Sequence, residues 1–355
     1  MRSAHRHRRT LSSPCERCRQ VNRVTSGLHV VFGAGPLGLA LLRALEARKL
    51  PTRLVTRGGK RTIGSATPFE WFEADATDSR SVQRACAGAT VVYHCAGAPY
   101  HRWGELLPRM MDGIAGAARV AEAKLIYADN LYLYGKVAGP MTEDLPSNPN
   151  SRKGQVRAQL ADRLLDAHAR GALRAAIGRG SDFFGPSVLL SHAGSRLFPQ
   201  ALSGKPTDAL GDPDKLHSFT FIDDFAAALV VLGERDEALG RAWHVPTSEA
   251  LTHRAFIERA YRLAETEPKL RAVPKWVVSL LALTDSTMRE VKEMLYQFED
   301  DFVIDTSRFT RTFGLAPTPT DDAIRATLAW YRDLSPTSNN DGRARPAKQR
   351  QESRG

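Results

Sequence analysis

The run from Leu28 to Leu42, LHVVFGAGPLGLALL, constrains the architecture of this chain more than any other stretch. An apolar segment ends at Gly33, and Leu37, Leu41, Leu42 and Leu45 then recur at helical spacing. The pattern predicts a buried strand, a glycine-rich turn and a helix in direct succession. Each glycine has a separate task in such a turn. Gly33 permits the tight bend, Gly35 leaves room for an approaching pyrophosphate, and Gly38 lets helix and strand pack closely. Pro36 and Leu37 open the helix, whose free N–H groups and partial positive charge favour an anion. An ordinary tight strand–helix turn is the plainer alternative, and the apolar context on both sides argues against it.

The same alternation continues through the first half. Strands are expected at 28–32, 53–56, 69–73, 90–95, 124–128 and 174–178, with helices at 36–48, 79–86, 105–122 and 153–169. Strands alternating with helices specify the α/β class, a doubly wound (Rossmann) parallel sheet. Continuous apolar runs such as Thr90-Val91-Val92-Tyr93-His94-Cys95 suit strands buried on both faces. From about 180 the rhythm changes, and loops rich in Gly, Pro and Asp separate shorter elements. Helices are expected there at 223–234, 252–264, 274–283, 286–297 and 320–332. The division is then a basic arm at 1–26, a dinucleotide domain at 27–180, an interleaved C-terminal substrate lobe at 181–334 and a tail at 335–355.

Charge sorts the partner classes. The chain of 355 residues carries a formal +11, of which the arm holds +6 and the tail +3, leaving +2 for the body. Basicity confined to the ends, with no nucleic-acid module, excludes specific nucleic-acid recognition. The arm is Arg-rich and acid-poor without an apolar run, so it reads as a transit-like leader or as sequence ahead of a start nearer Val24. No stretch approaches the ~20 apolar residues of a membrane span. Cys15 and Cys18 lack a second pair for zinc, and Cys86 and Cys95 read as small buried hydrophobes, so no metal site is expected. Cysteine usage of this kind suits a reducing cytoplasm.

The end of the second strand bears on cofactor choice. A carboxylate there favours a bare ribose 2′-hydroxyl, whereas arginine accommodates a 2′-phosphate. This chain reads Thr56-Arg57-Gly58-Gly59-Lys60-Arg61 at that place. Arg57 with Lys60 or Arg61 points to NADP(H), with NAD(H) as the alternative. Asp75 stands where it could meet an adenine amino group or simply build a turn, and Asp78 suits a helix cap. Ala96, in His94-Cys95-Ala96-Gly97, lets backbone lie against the cofactor, while His94 reads as a core histidine.

Taken together, these residues resemble the extended short-chain dehydrogenase/reductase superfamily of the epimerase/dehydratase type, over most of 28–332. Tyr132-Leu133-Tyr134-Gly135, Arg179 through Pro186, Gly211-Asp212 and His217 through Ala226 carry the resemblance onward. Asp223 and Asp224, within the last of these, read as helix-capping acids. The resemblance implies a Ser/Thr, a Tyr and a Lys four residues later, the Tyr exchanging a proton with a substrate oxygen. Here Asn130 stands at the Ser position, Lys153 at the Tyr position and Arg157 at the Lys position. The match is therefore to atypical members with an altered site. Arg157 can hold ribose hydroxyls or phosphate but cannot relay a proton. Lys153 could donate one if burial and Arg157 lower its pKa, and Lys153 and Arg157 would both point toward the cofactor ribose. Asn130 could bond a substrate carbonyl, and Tyr127, Tyr132 and Tyr134 are surrogate acids between which the sequence does not choose.

The expectation is an NAD(P)(H)-dependent oxidoreductase or epimerase/dehydratase-like enzyme on a small hydroxyl or carbonyl substrate, with Tyr100, Trp103, Phe183 and Phe184 as lining candidates. Its rival is a catalytically inert NAD(P)-binding sensor, favoured by the loss of the Tyr/Lys pair. The resemblance also implies a homodimer through a helix pair.

Overall fold

In the computed structural model, residues 27–58 and 69–334 are described. The arm with Cys15 and Cys18, the tail, and Lys60 with Arg61 lie outside them.

The first half runs β1 (Leu28–Phe32), α1 (Pro36–Ala47), β2 (Thr52–Thr56), β3 (Glu70–Glu73), α2 (Ser79–Cys86), β4 (Ala89–His94), α3 (Trp103–Val120), β5 (Lys124–Asp129), α4 (Arg152–Ala169) and β6 (Arg174–Arg179). The second half runs β7 (Asp182–Phe184), α5 (Phe198–Ser203), β8 (Thr207–Leu210), β9 (Leu216–His217), β10 (Phe219–Phe221), α6 (Ile222–Glu234), β11 (Ala242–His244), β12 (Leu251–Thr252) and α7 (His253–Leu263). It closes with β13 (Leu270–Val273), α8 (Lys275–Leu281), α9 (Ser286–Glu293), α10 (Ser307–Phe313) and α11 (Thr320–Leu334).

Seven strands form one parallel sheet in the order β11-β6-β5-β4-β1-β2-β3. Val31 on the central strand pairs with Leu54 on one side and Tyr93 on the other. Strand order reverses between β1 and β4, and the crevice beyond the carboxyl ends of strands at such a reversal is where this architecture takes ligands. One face of the sheet packs Val30, Val92, Leu125 and Ile177 against α2, α3 and α4. The other packs Val31, Leu54, Tyr93 and Ile126 against α1 and α6. Burying each such side chain contributes about 1.5–3 kcal/mol, which explains why the strand runs carry so few polar residues.

Residues beyond 180 serve both parts of the molecule. β11 returns to the edge of the large sheet and α6 packs on α1. Phe184, Phe198, Phe256, Ile324 and Tyr331 build a separate apolar cluster. The three-residue strands β7 and β11 were not expected, because nothing in their composition distinguishes them from loop. The helix expected over 286–297 ends at Glu293 and gives way to a 3-10 turn at Leu295–Phe298. All four residues of that turn are buried, a pattern no α-helix on a surface can satisfy. Asp78 caps α2 as expected, accepting from the N–H groups of Arg80 and Ser81. Asp223 and Asp224 do not cap α6. Asp223 pairs with Arg43 at 2.6 Å, and Asp224 accepts from both the N–H and the hydroxyl of Thr318, so they tie neighbouring segments to the helix.

Candidate functional site

Of the three glycines after β1, two are required by contact. Gly33 sits at φ +101°, and a Cβ there would come within 2.9 Å of the backbone of Cys95 and Ala96, beyond β4. A Cβ on Gly38 would lie 1.8 Å from the Gly33 carbonyl oxygen. Around Gly35 a Cβ would meet nothing within 4 Å. The first two glycines close the turn, and the third faces open space. α1 starts with proline and has no side-chain cap, so its leading N–H groups are left for a ligand. The cradle can receive a pyrophosphate.

Around it, Arg57 is exposed just past β2. The Asp75 side chain accepts from the Thr77 N–H and hydroxyl, each at 2.8 Å, so it builds a turn. Burial would raise the Asp75 carboxyl, but the Thr77 bonds with Arg57 and Arg109 hold it below its ordinary value. His94 is sealed in the sheet, where burial, helped by Arg157, pushes its pKa down to about 3.

α4 is seated by close contact. A Cβ on Gly154 would lie 2.4 Å from the Tyr132 carbonyl oxygen, and the Ser151 hydroxyl caps the helix by accepting from the Gly154 N–H. This brings Lys153 beside Tyr100, with its ammonium 5.2 Å from the centre of the ring. That ammonium is paired with Glu290 and with Glu293, the latter at 2.5 Å. Glu293 also accepts from the Lys153 backbone N–H, satisfying an orphan donor at the start of α4. Arg157 takes a different direction from Lys153. Its guanidinium donates to the Tyr127 hydroxyl at 2.5 Å, approaches Asp129 at 3.4 Å, and stacks on Trp103 at 4.4 Å. Lys153 and Arg157, expected to point together toward a cofactor ribose, have separate partners here: carboxylates on α9 hold one, and Tyr127 and Asp129 on β5 hold the other.

Asp129 is the buried hub that the sequence reading missed. It also holds Arg179 at 3.2 Å, and Arg179 donates to the Tyr134 hydroxyl at 2.8 Å. Tyr134 in turn bonds His244 Nε2 at 2.8 Å, while His244 Nδ1 donates to the Asp305 carbonyl. Tyr134, expected as a surrogate acid, is thus fixed inside a structural network. Tyr100, Tyr127, Tyr132 and Tyr134 all have pKa values raised above the ordinary phenol, burial being the largest cause in each. Asn130 accepts from the Tyr132 N–H through its side-chain oxygen, which leaves its amide nitrogen as a donor. The carboxylates of Glu290 and Glu293 also escaped the sequence reading. They look like solvated charges on α9, and only the fold brings them across to Lys153.

A depression of about 570 Å³, lined by Leu133, Glu143, Arg179 and Arg308 among others, lies on the Tyr134 side and away from the glycine turn. Among the described residues no group of three or more His, Cys, Asp or Glu is placed to hold a metal. Among the same residues no helix is long and apolar enough to cross a membrane.

The model of the NAD dependent epimerase/dehydratase family matches residues 29–245. A 3beta-hydroxysteroid-dehydrogenase/decarboxylase isoform 2 from Arabidopsis thaliana is 26% identical over 211 residues, 56% of this chain and 35% of that protein. A dTDP-glucose 4,6-dehydratase from Neisseria gonorrhoeae is 23% identical over 208 residues, 57% of each chain. The matched stretch thus spans about a third and somewhat over half of these two relatives. Among solved structures, the Thermus thermophilus UDP-glucose 4-epimerase in complex with NAD has a TM-score of 0.71 at 20% identity, covering 86% of this chain and 99% of that one. A UDP-glucuronic acid 4-epimerase from Bacillus cereus in complex with NAD has a TM-score of 0.70 at 18% identity, covering 86% and 99%.

Proposed function

Because this chain belongs to the NAD dependent epimerase/dehydratase family, we propose that it is an NAD(P)-dependent oxidoreductase or epimerase/dehydratase-like enzyme acting on a small hydroxyl or carbonyl compound. The observation that carries this reading is the cradle of Gly33, Gly35 and Gly38 at the strand-order reversal, open at Gly35 and closed at Gly33 and Gly38. A dinucleotide fits it: backbone N–H groups at the start of α1 would hold the pyrophosphate. Ala96 would give the cofactor a wall without side chain. Arg157, whose Nε is buried without a hydrogen-bond partner among the described residues, would serve the ribose side.

Arg57 supports a preference for NADP(H), since no carboxylate follows β2 to compete for a ribose 2′-hydroxyl. When bound, the nicotinamide supplies hydride exchange at C4. The residues of the chain do the rest. The Asn130 amide donates to the substrate oxygen and orients it, and the Lys153 ammonium stands as the proton donor, gated by Glu290 and Glu293. The lobe and the aromatic wall of Tyr100 and Trp103 exclude water. The test is NADPH oxidation against a panel of aldehydes and ketones, alongside binding of NADPH.

One observation favours a second reading, an inert dinucleotide sensor. Lys153 is committed to two carboxylates, so the proton donor is tied up in the state described. Tight NADPH binding without turnover on any carbonyl would select that reading.

A further inference from the structure

Just beyond β6 lies a cluster that the proposed chemistry does not use. Asp182 on β7 faces His217 on β9, with Oδ2 and Nε2 3.2 Å apart. The other ring nitrogen, Nδ1, lies 3.2 Å from the Gln297 carbonyl oxygen. A carbonyl can only accept, so Nδ1 carries a hydrogen. Nε2 and the Asp182 Oδ2 are then left facing each other, both buried without a hydrogen-bond partner among the described residues. The pair sits in a closed setting, because the His217 ring is stacked against Phe298 at 5.2 Å, Phe302 at 5.3 Å and His253 at 5.7 Å.

The neighbouring groups leave this end without spare positive charge. Burial pushes His192 down to about 4 and His253 well below its ordinary value, so both are neutral at neutral pH. Lys153 is committed to Glu290 and Glu293, and Arg157 to Tyr127 and Asp129. Arg196 is exposed and bears on His192. Tyr100, Tyr132 and Tyr296 all feel the Asp182 charge. The Tyr296 hydroxyl is buried with no hydrogen-bond partner among the described residues. The Asp182 side chain itself remains 20% exposed. A partly exposed carboxylate, with its Oδ2, the His217 Nε2 and the Tyr296 hydroxyl all lacking hydrogen-bond partners among the described residues, suits a ligand hydroxyl, which gives a charge-assisted bond. The same carboxylate repels an anion.

We infer that Asp182 and His217 form the hydroxyl-binding end of the substrate site, selecting an uncharged hydroxylated compound and rejecting one that carries a diphosphate. This rests on the proposed dinucleotide-dependent activity and narrows its substrate class. It sets the chain apart from the nucleotide-sugar enzymes among its structural neighbours.

The experiment uses the full chain saturated with NADPH, so that the glycine cradle is already filled. UDP and dTDP-glucose are then titrated calorimetrically into wild type and Asp182→Asn. The expected result is a dissociation constant weaker than about 1 mM for wild type, and UDP binding at least about tenfold tighter once the carboxylate is gone, a change of ~1.4 kcal/mol. Micromolar binding of either compound to wild type overturns the inference, and so does an unchanged UDP affinity in Asp182→Asn. Loss of NADPH binding in the first step would instead sink the underlying activity, so the two failures are distinct. Nitrogen-15 NMR of His217 needs no variant: a hydrogen on Nδ1 is expected, and its absence would overturn the contact with the Gln297 carbonyl on which the ring's orientation rests.

Discussion

The Lys153 ammonium on α4 and the Glu293 carboxylate on α9 meet at 2.5 Å, although 140 residues separate them in the chain. Glu293 also accepts from the Lys153 backbone N–H, so a single carboxylate fixes both the side chain and the start of its helix. Burial would raise the Glu293 carboxyl, and the Lys153 contacts outweigh it and hold it below its ordinary value. Lys153 has only 3% of its side chain exposed. Removing one partner of a buried pair leaves the other uncompensated, at about 3–5 kcal/mol. Lys153→Met should therefore lose stability on that scale in urea unfolding, because Glu290 and Glu293 are left facing one another. Glu293→Gln should cost less, about 1–2 kcal/mol, since Glu290 still neutralises the ammonium. Equal losses in the two variants would contradict the arrangement.

The glycine turn separates fold from binding. Gly35→Ala places a methyl group in open space, so thermal stability should hold while NADPH affinity falls at least about tenfold, or ~1.4 kcal/mol. Gly38→Ala drives a methyl group onto the Gly33 carbonyl oxygen. It should lower the melting temperature as well as affinity. Fluorescence titration and thermal melts on the two variants check the contrast. A Gly35→Ala protein that binds NADPH as wild type does would remove the pyrophosphate from this position.

Arg57 carries the cofactor preference. Arg57→Ala should weaken NADPH by about tenfold, the scale of one charge-assisted contact, and leave NADH within twofold. Parallel losses for both dinucleotides would show that Arg57 does not read the 2′-phosphate.

Acid should destabilise the protein through its sealed histidines, His94 and His244 foremost. Burial depresses His94, with Arg157 adding to it, and burial depresses His244 most of all, each to about 3. The unfolded value is about 6.5, so between the two the unfolded chain binds more protons. Stability then rises with pH across that window and is lost as pH falls, at about 1.4 kcal/mol per pH unit for each histidine. The urea midpoint should drop steadily from pH 6.5 toward 4, and His244→Gln should flatten the slope by one proton. A slope unchanged by that variant would contradict the burial argument.

Much of the fold was legible because its strands are continuous apolar runs. Val30, Val91 and Leu125 sit on strands covered by helices on both faces, and such strands have no polar side to hide their period. β7 and β11 were not legible. Three residues such as Ala242-Trp243-His244 become a strand only by pairing with β6. The glycine cradle could be read because all its parts lie within six residues. The environment of Lys153 could not, since Glu290 and Glu293 reach it only through the packing of α9. Asp129 escaped for a related reason, as the last residue of a strand looks like a turn acid until Arg157 and Arg179 close on it. The juxtaposition of Asp182 and His217 depends on which atom of His217 faces the Gln297 carbonyl, and that is a fact of side-chain geometry.

The claim on which the account rests is that the cradle at the start of α1 holds a pyridine dinucleotide. Isothermal calorimetry of the full chain against NADPH and NADH tests it most directly. The account predicts saturable one-site binding, with NADPH the tighter ligand. Absence of heat from both compounds, on folded protein, would contradict it.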